Sequence, residues 1–254
     1  MDLTVLQIVF LAVMIFLAGF VDSIAGGGGL ISLPAYFAVG LPPHVALATN
    51  KFSSFCGTAT AVIRYWRAGV IHLRIGLIAA AGALAGSALG AKIALWVAEA
   101  LINAFMLFCI PAVLVIFLFK EKLFPKEEVE TAVQFPVVRA LAIGAVIGCY
   151  DGFFGPGTGT FLALAFTFFM RYDLVTASGN ARLANLASNA GSLAVFLING
   201  KVLFPIAFIT AVSGIAGNIL GSHFALQGRE RIIRPIMAVV LVLLLIEVIR
   251  RQVG

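Results

Sequence analysis

The chain reads as an all-α polytopic membrane protein made of two inverted repeats, each of about five membrane segments, with Gly-broken short helices. Three observations predict this. The 254 residues are 62% hydrophobic and 11% charged, with a mean hydropathy of +1.11, whereas a water-facing domain carries roughly 25% charge. Apolar runs such as 105–119 and 237–248 do not alternate with polar residues. Barrel strands alternate, and in lipid only helices or closed barrels satisfy the backbone. Finally, the two halves of the chain match block by block.

A bilayer span needs about 20 apolar residues. Breaks at polar, Gly and Pro clusters place segments at about 3–24, 30–40, 45–64, 73–97, 100–119, 137–153, 159–170, 175–198, 203–226 and 232–249. The first follows Met1-Asp2 with no basic residue, so it is expected to be a mature helix and not a secretory signal. Segments 30–40 and 159–170 are too short to cross upright, and each follows a glycine-rich break. They suit half-helices of a bent or re-entrant hairpin. The stretch 120–136 is charged and Pro-bounded. It is expected to be a cytoplasmic linker between a first membrane repeat, 1–119, and a second, 137–254.

The internal match rests on three blocks. Residues 22–29 lie over 151–158, residues 49–54 over 180–185, and residues 83–95 over 214–226, at an offset of about 130. An odd number of segments per half turns the second half upside down. The basic residues agree with that. Arg64, Arg67, Arg74, Lys120, Lys122, Lys126, Arg139, Arg171, Arg229, Arg231 and Arg234 fall on one face, against Lys92, Lys201, Arg250 and Arg251 on the other. The richer face is expected to be cytoplasmic, which places both termini in the periplasm.

Several function classes drop out. The net charge of +6 comes from short basic caps between apolar runs, so no nucleic-acid partner is expected. Cys56, Cys109 and Cys149 sit in apolar runs without a CxxC pair. His44, His72 and His223 do not converge with carboxylates at metal spacing, and no catalytic constellation assembles. No P-loop or βαβ context accompanies the glycines. The expectation is a non-enzyme without cofactor or metal, embedded in the bilayer, with its oligomeric state open.

Chemistry concentrates at the matched blocks. Lys51 and Arg182 occupy equivalent positions near segment starts, where a charge in the membrane faces a cavity or a partner. Lys51, Ser54 and Thr58 fall at i, i+3, i+7, as do Arg182, Asn185 and Asn189. Each set makes one polar stripe on a helix. The breaks Gly26-Gly27-Gly28-Gly29 and Gly155-Pro156-Gly157-Thr158-Gly159 allow close backbone approach and start helices whose positive ends suit an anion. Lys51 and Arg182 would supply charge. Asn50, Ser54, Asn185, Asn189, Thr158 and the amides of Gly26, Gly27, Gly28, Gly29, Gly155 and Gly157 would supply hydrogen bonds. Asp22 and Asp151 precede the breaks in register. Pairing with Lys51 and Arg182, capping the broken helices, and carrying a proton are all open to them. Gly82/Gly86/Gly90 and Gly214/Gly217/Gly221 read as close helix packing.

The Gly-Gly-Gly-Gly-Leu-Ile-Ser-Leu-Pro block, Ala-Thr-Asn-Lys, Gly-Pro-Gly-Thr-Gly and Asn-Ala-Arg-Leu-Ala-Asn resemble the sulfite exporter TauE/SafE family, also called the four-toluene-sulfonate uptake permeases. The resemblance covers nearly the whole chain and is similar to the YfcA-like members. It implies a bacterial inner-membrane permease for a small sulfur-containing anion such as sulfite, thiosulfate or an organosulfonate, with export favoured. Pro156 and Thr158 stand where the first half has Gly27 and Gly29, and Arg182 where it has Lys51. The two half-sites are therefore unequal. Alternating access would rock one repeat against the other. The rival readings are a passive anion channel and a transporter of another small organic anion.

Overall fold

A computed structural model describes residues 3–106, 108, 111, 112, 115 and 133–227. These residues form helices and turns, with no strand among them. Helices α1 (Val5–Ala25), α2 (Gly29–Ala38), α3 (Pro43–Arg67) and α4 (Leu73–Trp96) come first. Helix α5 covers residues 99–106. Then follow α6 (Pro136–Phe153), α7 (Thr158–Met170), α8 (Leu174–Ile198) and α9 (Phe204–Leu226). The expected tenth segment, 232–249, and residues 120–132 of the expected linker lie outside the described residues.

Five of these helices are long and apolar enough to cross a membrane: α1 over Val5–Ile24, α4, α6, α8 and α9. Helix α3 has the length without the apolarity, because Thr49, Asn50, Lys51, Ser53 and Thr58 lie along it. All five are buried in the protein. The outward faces are apolar instead, with Val9 and Val13 on α1, Leu77 and Leu84 on α4, and Phe208 and Val212 on α9 exposed. Polar residues inside and apolar residues outside is the arrangement lipid demands. Helices α2 and α7 have 10 and 13 residues. At a rise of 1.5 Å per residue they reach about 15–20 Å, short of a hydrocarbon core of about 30 Å.

Glycine sets the tightest contacts. A Cβ on Gly82, Gly86 or Gly90 of α4 would overlap the backbone of Leu141, Ala145 or Cys149 on α6. In return, Gly144, Gly148 and Gly152 of α6 meet the backbone of Ala79, Ala83 and Ser87. The sequence reading named the α4 set and missed the α6 set, which has the same four-residue spacing. Gly217 and Gly221 of α9 press equally close on Phe16 and Phe20 of α1. Backbones this close gain dispersion and leave no room for a side chain.

The contact positions also fix directions. Ascending positions on α4 meet ascending positions on α6, so the two run parallel, and α1 and α9 do the same. Gly57 of α3 meets Asn218 of α9, and Thr49 accepts a hydrogen bond from the Leu203 amide at 3.2 Å, so α3 runs with α9. Gly76 of α4 meets Asn180 of α8, and Gly191 of α8 meets Leu84, so α4 runs with α8. Helices α3 and α8 oppose each other: Gly179 at the start of α8 meets Val70 just past the end of α3, while Leu203 past the end of α8 meets Thr49. The densest packing thus groups α1, α3 and α9 into one body and α4, α6 and α8 into another. Each body holds helices from both halves of the chain.

One end of the bundle gathers positive charge. His72 stacks on Tyr172 at 4.9 Å, Arg139 donates to the Phe169 carbonyl at 3.0 Å, and Arg64 Nη2 lies 3.4 Å from His223 Nδ1. These contacts bring Arg64, Arg67, Arg74, Arg139 and Arg171 together. At the opposite end His44 reaches the Ala94 carbonyl at 2.9 Å and the Glu99 carboxylate at 3.2 Å. Lys92 and Lys201 belong to that end.

Candidate substrate-binding site

The two glycine breaks meet at the centre. Helix α1 ends at Gly26, whose φ of +83° is left-handed, and α2 starts at Gly29. Helix α6 ends at Phe153, and Gly155 and Gly157, also left-handed, lead into α7. A Cβ on Gly26 would collide with Gly159 and Thr160, and the Thr160 amide donates to the Gly26 carbonyl at 3.2 Å. Only glycine satisfies both the dihedral and the contact there.

The four charged residues at the breaks form two crossed ion pairs. Lys51 Nζ of α3 lies 2.7 Å from Asp151 Oδ2 of α6. Arg182 Nη1 of α8 lies 3.0 Å from Asp22 Oδ2 of α1. Each cation pairs with the carboxylate of the other half, and each pair joins one helix body to the other. Of the roles left open for the aspartates, pairing is present in both cases. Asp22 also caps, since its Oδ1 accepts from the Gly28 amide at 3.3 Å. Asp151 is held further by Ser188 Oγ, which donates to Oδ2 at 2.5 Å, and Thr158 Oγ1, which donates to Oδ1 at 2.8 Å. Removing one partner of a buried pair typically costs about 3–5 kcal/mol, because the remaining charge is stranded.

Beside the pairs lies a cavity of about 40 Å³. Of the expected site residues, Gly26, Gly28, Gly29, Asn50, Lys51, Ser54, Gly155, Thr158, Asn185 and Asn189 line it, as do Asp22 and Asp151. Gly27, Gly157 and Arg182 do not line it. Arg182 is buried behind Asp22, and its Nε has no hydrogen-bond partner. The two polar stripes meet as expected, with Lys51 Nζ donating to Asn189 Oδ1 at 3.3 Å. Some glycine-block amides are already engaged: Gly26 donates to the Asp22 carbonyl at 2.8 Å and Thr158 to the Gly155 carbonyl at 3.3 Å.

Sequence reasoning missed three lining residues of note: Ser32, Ser53 and Asn218. Asn218 Nδ2 donates to the Gly214 carbonyl at 2.9 Å, which leaves Oδ1 buried without a partner. It reaches the cavity because Gly19 and Gly57 leave space beside it. Its register partner, Ser87, packs at the α4–α6 contact instead. The signal was a polar residue inside a small-residue stripe, which also suits helix packing.

Residues 11–248 match the family described as Sulfite exporter TauE/SafE. A probable membrane transporter protein, ORF9, of Sinorhizobium sp is 34% identical over 248 residues, covering 98% of this chain and 94% of the relative. The probable membrane transporter protein YfcA of Escherichia coli (strain K12) is 37% identical over 224 residues, covering 88% and 82%. A probable membrane transporter protein of Haemophilus influenzae is 33% identical over 239 residues, covering 94% and 93%. No solved structure matches. Extent and identity together place this chain, a multi-pass membrane transporter, in the sulfite exporter TauE/SafE family.

Proposed function

We propose that the chain is a secondary carrier for a small sulfur-containing anion such as sulfite, thiosulfate or an organosulfonate, in the bacterial inner membrane. The observation that carries this reading is the central cavity, lined by Lys51, hydroxyls, amides and two glycine breaks, with ion pairs bridging two helix bodies across it. Lys51 is the cation presented to the anion. Asn50, Ser54, Asn185 and Asn189 fix its oxygens, and Arg182 acts from behind by holding Asp22.

The packing supports two inverted repeats, because α1 and its counterpart α6 run with opposed bodies. It also moves the expected boundary of motion. Alternating access would rock α1, α3 and α9 against α4, α6 and α8, and not one half of the chain against the other. The basic end is the cytoplasmic end, which puts the termini in the periplasm. A negative-inside membrane expels an unaccompanied anion by about 2.3 kcal/mol per charge per 100 mV, and this favours export.

The test is counterflow in proteoliposomes with sulfite, thiosulfate and small organosulfonates. Saturable counterflow of at least one of them is expected, and Lys51→Ala abolishes it. Flux that never saturates and lacks counterflow marks a channel. Transport of none of them by the wild type defeats the reading.

A further inference from the structure

We propose that the site takes its anion only together with one proton, carried by Asp151. Transport of a monovalent anion is then electroneutral. The inference rests on the anion-carrier reading and replaces the force that drives it.

The first observation is the charge seen from inside the cavity. Among the described residues, the charged groups facing the centre are Asp22 from α1, Lys51 from α3, Asp151 from α6 and Arg182 from α8. Their formal charges cancel. Three of them line the cavity: Lys51, Asp22 and Asp151. Arg182 neutralises Asp22 from behind, and Asp151 neutralises Lys51, so a bare anion entering that space meets no free positive charge. One proton added to Asp151 leaves the Lys51 ammonium uncompensated and available to the anion.

The second observation is how Lys51 is occupied. Its Nζ is 2.7 Å from Asp151 Oδ2 and 3.3 Å from Asn189 Oδ1. An anion can replace the carboxylate only if Asp151 is not left charged and buried. Protonation resolves this by reversing one contact. The proton on Oδ2 donates to Ser188 Oγ, whose own hydrogen turns away from Oδ2, Thr158 still donates to Oδ1, and an anion oxygen takes over the ammonium. The proton comes from water on the entry side. It leaves on the far side when the anion departs and Lys51 and Asp151 close again. Asp22 is not the carrier, because its guanidinium partner lies outside the cavity and offers the anion nothing.

The pairs also bridge the two helix bodies, so this exchange of partners unlatches one of them during each passage. The membrane potential then drops out for a monovalent anion. Direction follows the anion gradient and the pH gradient together, and export follows from accumulation inside the cell.

The experiment uses the full chain in vesicles containing a pH-sensitive dye, with methanesulfonate and thiosulfate as probes, since both stay ionised near neutral pH. With the potential clamped at zero, a gradient of one pH unit, alkaline inside, should accumulate the transported anion about tenfold. The dye should report one proton per anion. In Asp151→Asn, any remaining anion exchange should be blind to pH, and the gradient should accumulate nothing. Wild-type uptake without a proton signal overturns the coupling and leaves the carrier reading standing, and it decides the matter even if the variant does not fold. An Asp151→Asn protein that still accumulates anion overturns the assignment to Asp151. Wild-type vesicles that move neither anion, nor any in the wider sulfite and organosulfonate series, overturn the carrier reading and the coupling with it.

Discussion

Lys51–Asp151 and Arg182–Asp22 occupy equivalent places in the two halves and differ in their surroundings. The first pair faces the cavity at 2.7 Å, with both side chains nearly inaccessible, and its carboxylate takes two further hydroxyl donors. The second spans 3.0 Å, its carboxylate is 15% exposed and accepts one weak amide bond, and its guanidinium lies outside the cavity. Under the proposed function the first is the working pair and the second the holding pair. The division follows the residue types. Lysine offers a compact point charge at the end of a flexible stem. Arginine offers a planar group that stays charged when buried. The first suits an exchange of partners and the second suits permanence.

Substitutions can break or sharpen this contrast. The largest effect is expected from Asp151→Ala, which strands the buried Lys51 and should cost about 3–5 kcal/mol. Asp22→Ala should cost less, because water reaches that carboxylate. Chemical denaturation in detergent reads both, and equal losses would erase the distinction. Ser188→Ala should cost about 1.5–3 kcal/mol, the range for a hydrogen bond to a charged group, and should alter the pH dependence of anion uptake. Arg182→Lys should stay within about 1 kcal/mol and keep transport, since only Nη1 touches Asp22. Lys51→Arg places a larger planar group in the cavity and should abolish transport even where the protein folds. Counterflow by Lys51→Arg at the wild-type rate would remove Lys51 from the anion's path.

Much of the fold could be read from the chain, and for a simple reason. Lipid requires long apolar helices, and Gly, Pro and charge mark their ends. Eight of the nine helices described here begin and end close to their expected segments, and α5 begins at its expected place while the end of that segment lies outside the described residues. Helix α3 matches the segment expected at 45–64 from the breaks that bound it, although it is too polar for a hydropathy criterion. The meeting of the two stripes was also readable, since each repeats at the same register. The crossing of the pairs was not. Asp22 precedes Lys51 in its own half, and local sequence gives no reason to prefer the aspartate about 100 residues further on. Arg182 is kept from the cavity by its pairing with Asp22 of the other body, which no spacing encodes. Asn218 was hidden because a polar residue among Gly214, Gly217 and Gly221 is equally useful as glue between helices.

The exchange of helices between bodies makes neither half a self-sufficient object. Helix α4 leaves its own half and seats its glycine stripe on α6, and α9 returns to α1. A polypeptide ending at residue 119 would have only bare glycine ridges to offer the bilayer, with no parallel helix to receive them.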